Sequence, residues 1–326
     1  MKKIMITLLL MANAGLGFAQ ISGTVHVADT TKTISYGNST YIFQLPVPPR
    51  NDGQGLIQTM QFKVKLYRSD EPVTFKLDQV SANIEGYDGD EVIIEAQPLA
   101  ANTPEAAGLK QIAMPGRAKE DNLIKPVLHE DPLGVLITIP QGNFSSLNIK
   151  VPQSIIMTVF IRTYLNNSKI SVNNVNSVSI AGAIPSVAIN NVSEFVVKVD
   201  QTHIGARATG KFTFSNIRWS EQPIIVNGQL RKRAYEVDSF NSDIEMGLPG
   251  NITGNVIVCS EYGQAFSNLN FNPLPASDRD LRAFHHYYNR AAGQLQPDVK
   301  SIAINNGGGF NILVGSVYGT IYLKRE

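Results

Sequence analysis

Apolar and polar residues alternate with a period of two along much of the chain, the spacing that sends every second side chain to one face of a β-strand. Gln61-Phe62-Lys63-Val64-Lys65-Leu66-Tyr67 reads this way, as do Val73-Thr74-Phe75-Lys76-Leu77, Val92-Ile93-Ile94 and Val135-Leu136-Ile137-Thr138-Ile139-Pro140. Val, Ile, Asn, Ser and Gly recur in short runs, and charged residues are only 17% of the chain, which is strand-and-turn rather than helix chemistry. Residues 97–127, with Pro98, Ala100, Pro104, Ala106, Pro115 and Gly116, predict a long loop. Ser277 to Ala292, with Asp278, Asp280, Leu281, Phe284 and Tyr288 behind a serine cap, fits either a short helix or a second long loop.

The strands repeat. Shifted by 17 residues, Ile170, Val172, Val175, Val178 and Ile180 fall on Val187, Ile189, Val192, Phe195 and Val197, and Asn173-Asn174 falls on Asn190-Asn191. A second shift of 17 lands on Ile204, Ala206, Thr209, Phe212 and Phe214, with Arg207-Ala208 in place of the asparagines. The pattern returns as Ile302, Ile304, Asn305-Asn306, Phe310 and Ile312, with Gly307-Gly308-Gly309 at the bend. A related arm, its second strand displaced by one residue, runs through Tyr235, Val237, Phe240, Ile244 and Met246 and recurs at Ile312, Val314, Val317, Ile321 and Leu323.

A strand, corner, strand unit of this length buries one face only by stacking on the next copy, because two short strands alone are marginal in water. Asparagine and glycine suit the corners, since both tolerate left-handed backbone angles and stacked asparagines can share side-chain hydrogen bonds. The expected fold is all-β, with repeated short strands stacked as a β-solenoid or β-helix-like scaffold; the alternative is an antiparallel β-sandwich. Three regions follow: 1–19 as a signal peptide, 20–134 as an N-terminal β region with the loop at about 97–127, and 135–326 as the β-strand-repeat region.

Lys2 and Lys3 precede an apolar run from Ile4 to Met11, and Gly17 and Ala19 provide small residues for cleavage near Ala19/Gln20, the pattern of a secretory signal peptide. The expected location is therefore outside the cytoplasm, in the periplasm or at the cell surface. No stretch approaches the roughly 18 consecutive apolar residues of a membrane-spanning helix. The formal charge is +1, and removing Lys2 and Lys3 takes it to −1, which supplies no bulk field for nucleic acid or an anionic membrane. Arg231, Lys232 and Arg233 form the one local basic cluster and read as a solvated turn. With Cys259 the single cysteine, no intramolecular disulfide is possible, and its place in Val256-Ile257-Val258-Cys259 reads as a buried thiol.

Asn83 to Ile94, Ile139-Pro140 with Leu147 to Lys150, Ser239 to Pro249, Tyr262 to Ser267, Asn306 to Gly309 and Val317 to Arg325 together resemble, in this order, a bacterial putative-adhesin family of unknown function with β-strand repeats. Asn83-Ile84-Glu85-Gly86-Tyr87-Asp88-Gly89-Asp90-Glu91-Val92-Ile93-Ile94 is similar to that family's early I-x-G-Y-D-G-D-E-V-x-V strand. Ser239-Phe240-Asn241-Ser242-Asp243-Ile244-Glu245-Met246-Gly247-Leu248-Pro249 is similar to its S-V-N-G-D-I-x-V-x-L-P strand. Ile139-Pro140 with Leu147 to Lys150, Tyr262 to Ser267, Asn306 to Gly309 and Val317 to Arg325 extend the likeness over most of the chain from about residue 75. Ser177, Glu194 and Ser242 stand where the family often has glycine, and Asp278 to Pro297 reads as an insertion. The resemblance implies a β-repeat stack outside the cytoplasm and brings no catalytic, cofactor or metal residues with it.

The residues themselves offer thin chemistry. His285-His286 beside Tyr287-Tyr288 point apart on either a strand or a helix, which is awkward for chelation, and His26, His129 and His203 sit in no metal-ligand spacing. Asp88, Asp90 and Glu91 around Gly86 and Gly89 carry oxygen ligands but read as turn chemistry, since the spacing of a calcium loop is missing. Trp219 with Arg218, Tyr235 and Phe240 is a stacking surface or part of the core. No Gly-x-Ser-x-Gly elbow is present. The expected function is a non-enzymatic structural or adhesin-like binding module, its partner an envelope protein or glycan, with no cofactor and an oligomeric state left open. The alternatives are a β-helix polysaccharide lyase or hydrolase, with acids near Asp88 or Asp278, and an envelope-stress sensing component.

Overall fold

The computed structural model describes residues 31–36, 39–44, 60–66, 72–98, 127–131, 134–139, 144–163, 167–199, 210–226, 229–260, 262–274, 298–304 and 311–326. The expected signal peptide, nearly all of the 97–127 loop and the 277–297 segment, with its helix-or-loop reading, lie outside the described residues, as do Arg207-Ala208 and Gly307 to Gly309.

Every regular element among the described residues is a strand. In chain order these are β1 (Thr31–Tyr36), β2 (Ser39–Gln44), β3 (Met60–Lys65), β4 (Val73–Asp78), β5 (Ala82–Tyr87), β6 (Glu91–Pro98), β7 (Val127–Asp131) and β8 (Gly134–Ile139). Then come β9 (Phe144–Pro152), β10 (Ile156–Arg162), β11 (Lys169–Asn173), β12 (Ser177–Ala183), β13 (Ser186–Asn190), β14 (Glu194–Val199), β15 (Gly210–Ser215), β16 (Ile224–Val226) and β17 (Gln229–Arg231). The rest are β18 (Tyr235–Ser239), β19 (Ser242–Leu248), β20 (Gly254–Ser260), β21 (Ala265–Ser267), β22 (Phe271–Leu274), β23 (Asp298–Ile304), β24 (Asn311–Ser316) and β25 (Ile321–Arg325).

Two large sheets hold most of these strands. The first has the order β22-β23-β20-β24-β18-β14-β12-β10-β4-β8-β7, the second β21-β25-β19-β15-β13-β11-β5-β9-β6-β3. The chain alternates between them: β4, β8, β10, β12, β14, β18, β20 and β24 lie in the first, and each is followed by a strand of the second after a corner, or after a longer connection as between β14 and β15. Neighbours from successive units pair in parallel, so apolar residues at equivalent positions stack in columns such as Val159, Ile180, Val197, Val237 and Val314. Alternate burial along β11 and β13 follows from the period of two, and inward side chains of both sheets merge into one apolar cluster. Parallel pairing through the middle of both sheets is not the arrangement of an antiparallel sandwich.

The first 17-residue shift is the physical register. Ile170 and Val172 pair with Val187 and Ile189 in the second sheet, while Val178 and Ile180 pair with Phe195 and Val197 in the first. The second shift is wrong by eight residues: Phe212 and Phe214 stack on Val187 and Ile189, not on Phe195 and Val197. The connection between β14 and β15 is longer than its predecessors, so a constant period lands on the wrong sheet. The asparagine pair is continued by Ser215-Asn216, not by Arg207-Ala208. The displaced arm is also real, with Tyr235, Val237, Ile244 and Met246 pairing with Ile312, Val314, Ile321 and Leu323. It differs from the first because it starts in the first sheet and turns into the second, whereas Ile170 to Ile180 makes the opposite turn. The proposed return at Ile302 and Ile304 is a different element: β23 runs antiparallel to β20 inside the first sheet.

Sequence order and stacking order part company at both ends. The unit β4–β5 lies between β8–β9 and β10–β11, and β24–β25 lies between β18–β19 and β20–β21. Both sheets therefore run across the regional boundary drawn at residue 134, because β4 and β5 are hydrogen-bonded on both sides by strands that follow it.

Candidate functional site

The corners that carry the chain from the first sheet to the second repeat a four-residue pattern, Ser260-Glu261-Tyr262-Gly263 and Ser316-Val317-Tyr318-Gly319. In each the serine Oγ accepts the glycine N–H, at 3.1 Å from Gly263 and 3.0 Å from Gly319, and Ser316 Oγ also donates to the Ser242 carbonyl at 2.8 Å. Glycine is dictated by the neighbouring rung: a Cβ on Gly319 would sit 1.7 Å from the Ser242 carbonyl oxygen, and one on Gly263 would sit 1.9 Å from that of Gly319. A tight turn of this kind leaves the residue before glycine outside the core.

Aromatic rings occupy that outside position. Tyr262 and Tyr318 stack with centroids 4.8 Å apart and planes 10° from parallel, and Phe240 meets Tyr318 edge to face at 5.3 Å. On the adjoining outer face of the second sheet, Phe266 of β21 and Tyr322 of β25 are cross-strand partners stacked at 5.7 Å and 16°. Lys324 Nζ lies 5.9 Å from the Tyr322 centroid and pairs with Glu245 at 2.8 Å, a contact that holds the Glu245 carboxyl below its ordinary range. Tyr262, Tyr318, Phe266 and Tyr322 keep 49, 48, 50 and 38% of their surface in solvent. Four large aromatics half exposed at one end of the stack are a concentration that burial alone does not explain.

Of the residues singled out from sequence as candidate sites, Phe240 joins this cluster and the others fall elsewhere. Trp219 packs on Tyr235 at 4.5 Å and Phe195 at 6.1 Å and covers one corner of the core, with Arg218 anchored to the Val175 carbonyl at 2.6 Å; Phe240 belongs to the opposite corner. Tyr235 is fully buried, and desolvation pushes its hydroxyl above the ordinary tyrosine range. At Asp88 to Glu91 the turn is built around Tyr87, whose hydroxyl donates to the Glu91 carbonyl at 2.9 Å, while Asp90 pairs with Lys65 at 3.6 Å. Among the described residues no three His, Cys, Asp or Glu side chains converge. His129 lies on β7; His26, His203, His285 and His286 lie outside the described residues, as does Asp278. Cys259 is buried. A shallow, open depression of about 270 Å³ on the outer face of the first sheet is lined by Lys76, Thr138, Phe160, Arg162 and Gly182.

The basic cluster is not a solvated turn. Glu194, 2% exposed at the start of β14, accepts hydrogen bonds from Arg231 Nη1 at 2.8 Å, from Arg231 Nη2, from Ser177 Oγ and from the Ala234 N–H at 3.3 Å. Arg233 donates to the carbonyls of Gln222 and Ser193 at 2.9 and 3.2 Å. Two of the positions where the resembled family often has glycine, Ser177 and Glu194, are thus cross-strand partners in one polar cluster. The signal available beforehand was a lone acid in an apolar strand with three cations 37 to 39 residues on.

No family model matches the chain, and no curated protein matches it. Among solved structures, a putative cell adhesion protein from Clostridium sporogenes aligns over 82% of this chain and all of its own, at 9% identity and a TM-score of 0.36. A likeness of that degree assigns no activity to this chain.

Proposed function

We propose that the protein is an exported, non-enzymatic component of the bacterial envelope, a binding module in which a β-solenoid-like stack presents the aromatic strip to an envelope glycan. The observation that carries this reading is the exposure of Tyr262, Tyr318, Phe266 and Tyr322 in two stacked pairs on adjoining surfaces. Flat aromatic rings held by a rigid backbone bind at low entropic cost, and their faces accept the apolar face of a sugar ring. Export is supported by Lys2-Lys3, the apolar run and the small residues at 17 and 19. The non-enzymatic reading is supported by corners furnished with Asn and Ser, and by a buried carboxylate, Glu194, whose oxygens are committed to the scaffold.

The test is pull-down of the mature chain on purified peptidoglycan and on envelope polysaccharides, beside cross-linking in intact cells. The expected result is retention on a glycan that falls about tenfold in Tyr262→Ala/Tyr318→Ala, roughly 1.4 kcal/mol of lost stacking, with an unchanged melting temperature. Capture of a protein partner with no glycan retention, or retention indifferent to both tyrosines, overturns it. Turnover of any polysaccharide by the purified chain overturns the non-enzymatic part.

A further inference from the structure

The hairpin of β16 and β17 stands apart from both sheets, pairing only with itself: Ile224 with Arg231, Ile225 with Leu230, Val226 with Gln229. Its central cross-strand pair is the most exposed large apolar pair among the described residues, Ile225 at 63% and Leu230 at 71%. Side chains opposite one another in an antiparallel pair touch, so the two form one continuous apolar spot. From Gln222 to Leu230 the chain carries no charge.

The base of the hairpin has the opposite character. Arg231 and Arg233 clamp it to the stack through Glu194 and Ser193, Arg233 also ties the two arms of the hairpin together through the Gln222 carbonyl, and Lys232 between them is exposed. Arg218 lies close enough to Arg233 for their charges to repel. Of the nearby acids, Glu194 is paired with Arg231, and Glu221 keeps its charge while accepting a bond from Thr253 at 3.1 Å, so the cations Arg218, Arg231, Lys232 and Arg233 still outnumber the acids. An anchored base, an uncharged apolar strand pair and a collar with excess positive charge are the parts of an element that lies at a lipid interface, apolar groups among the acyl chains and cations at the headgroups.

We propose that the β16–β17 hairpin is a membrane-contact finger, with Ile225 and Leu230 entering an anionic lipid surface and Lys232 at the headgroups. The bulk charge of the chain gives no attraction to such a surface; the attraction is local, and the collar supplies it. A second copy of the chain is the poorer fit, because pairing this patch with itself offers Lys232 no anion, whereas an anionic headgroup does. A polyanionic glycan has no use for Ile225 and Leu230.

The experiment is co-sedimentation of the mature chain with vesicles of phosphatidylethanolamine and phosphatidylglycerol, against vesicles of phosphatidylcholine alone. The expected result is binding to the anionic vesicles that falls roughly tenfold or more in Ile225→Ser/Leu230→Ser. Lys232→Ser weakens it less, and added salt reproduces that smaller loss. Tyr262→Ala/Tyr318→Ala leaves it unchanged, which keeps this outcome separate from the glycan reading. Both finger side chains are exposed, so melting of the double variant is expected to match the parent. Absence of vesicle binding, binding indifferent to the double variant, or a solution dimer that the double variant turns into monomer without lipid binding overturns the proposal.

Discussion

Asn174, Asn191 and Asn216 adopt φ of 58°, 52° and 48°, the left-handed region that most side chains avoid. Each ends a strand of the second sheet and sends the chain toward the first. Their amides then bond along the stack: Asn191 Nδ2 donates to Asn174 Oδ1 at 2.6 Å, Asn174 donates to Glu85, and Asn216 Nδ2 donates to Asn190 Oδ1 at 2.8 Å. Asparagine thus serves the corner twice, by backbone tolerance and by side-chain reach. Asn191→Ala is expected to lower stability by about 2 kcal/mol, combining a left-handed alanine with a lost ladder bond. Asn191→Gly keeps the backbone and loses only the bond, for about 1 kcal/mol. Urea unfolding of the two variants separates the effects; equal losses would mean that the backbone angle does not matter.

At the scale of elements, the two kinds of corner have different chemistry because they solve different packing problems. Asparagine corners bond along the stack, whereas Ser-x-Tyr-Gly corners let a neighbouring carbonyl come so near that only glycine fits. The hairpin anchor is a third device. Arg231→Ala would leave Glu194 buried without its cation and is expected to cost about 3 kcal/mol, since breaking one side of a buried pair strands the other. Glu194→Gln leaves Arg231 partly in solvent and costs less, and Glu194→Gln/Arg231→Ala recovers part of the Arg231→Ala loss. A double-mutant cycle by denaturant unfolding measures this, and strict additivity would remove the coupling. The sheet ends differ as well: β3, β7 and β22 are antiparallel to their neighbours, whereas β21 is a short parallel strand with all three residues exposed. Lys324 and Arg325 end β25, which is no edge strand, since β19 pairs with it along its length and β21 pairs with Ile321 to Leu323 on the other side.

Across the whole molecule, the shuffled stacking order makes the C-terminal unit an internal part. Removing residues 311–326 takes out β24 and β25, which separate β18–β19 from β20–β21. In a stack built from nearest-neighbour contacts, loss of an internal unit detaches everything beyond it. The expected result is rapid proteolysis throughout 249–304 in the truncated chain, with β12 to β15 still protected from hydrogen exchange. Protection retained in β20 and β21 would show that they dock without β24 and β25. The aromatic strip depends on the same arrangement, since Tyr318 and Tyr322 come from the last residues and Phe240, Tyr262 and Phe266 from two earlier units.

The period of two made the strands legible from sequence because burial on one face is a local property of each arm. The 17-residue register of Ile170 to Val197 was legible because two adjacent units had equal length, and Cys259 read correctly as a buried thiol. The register failed where distance along the chain stopped measuring distance in space. A longer connection before β15 moved Phe212 and Phe214 to the other sheet, and β24–β25 slid between units that precede them. The meaning of Arg231 to Arg233 was likewise out of reach, because Glu194 lies about 37 residues away. Tyr262, Tyr318, Phe266 and Tyr322 are each unremarkable in sequence; only the tertiary stack, by spacing its rungs closely, sets their rings in pairs on adjoining surfaces.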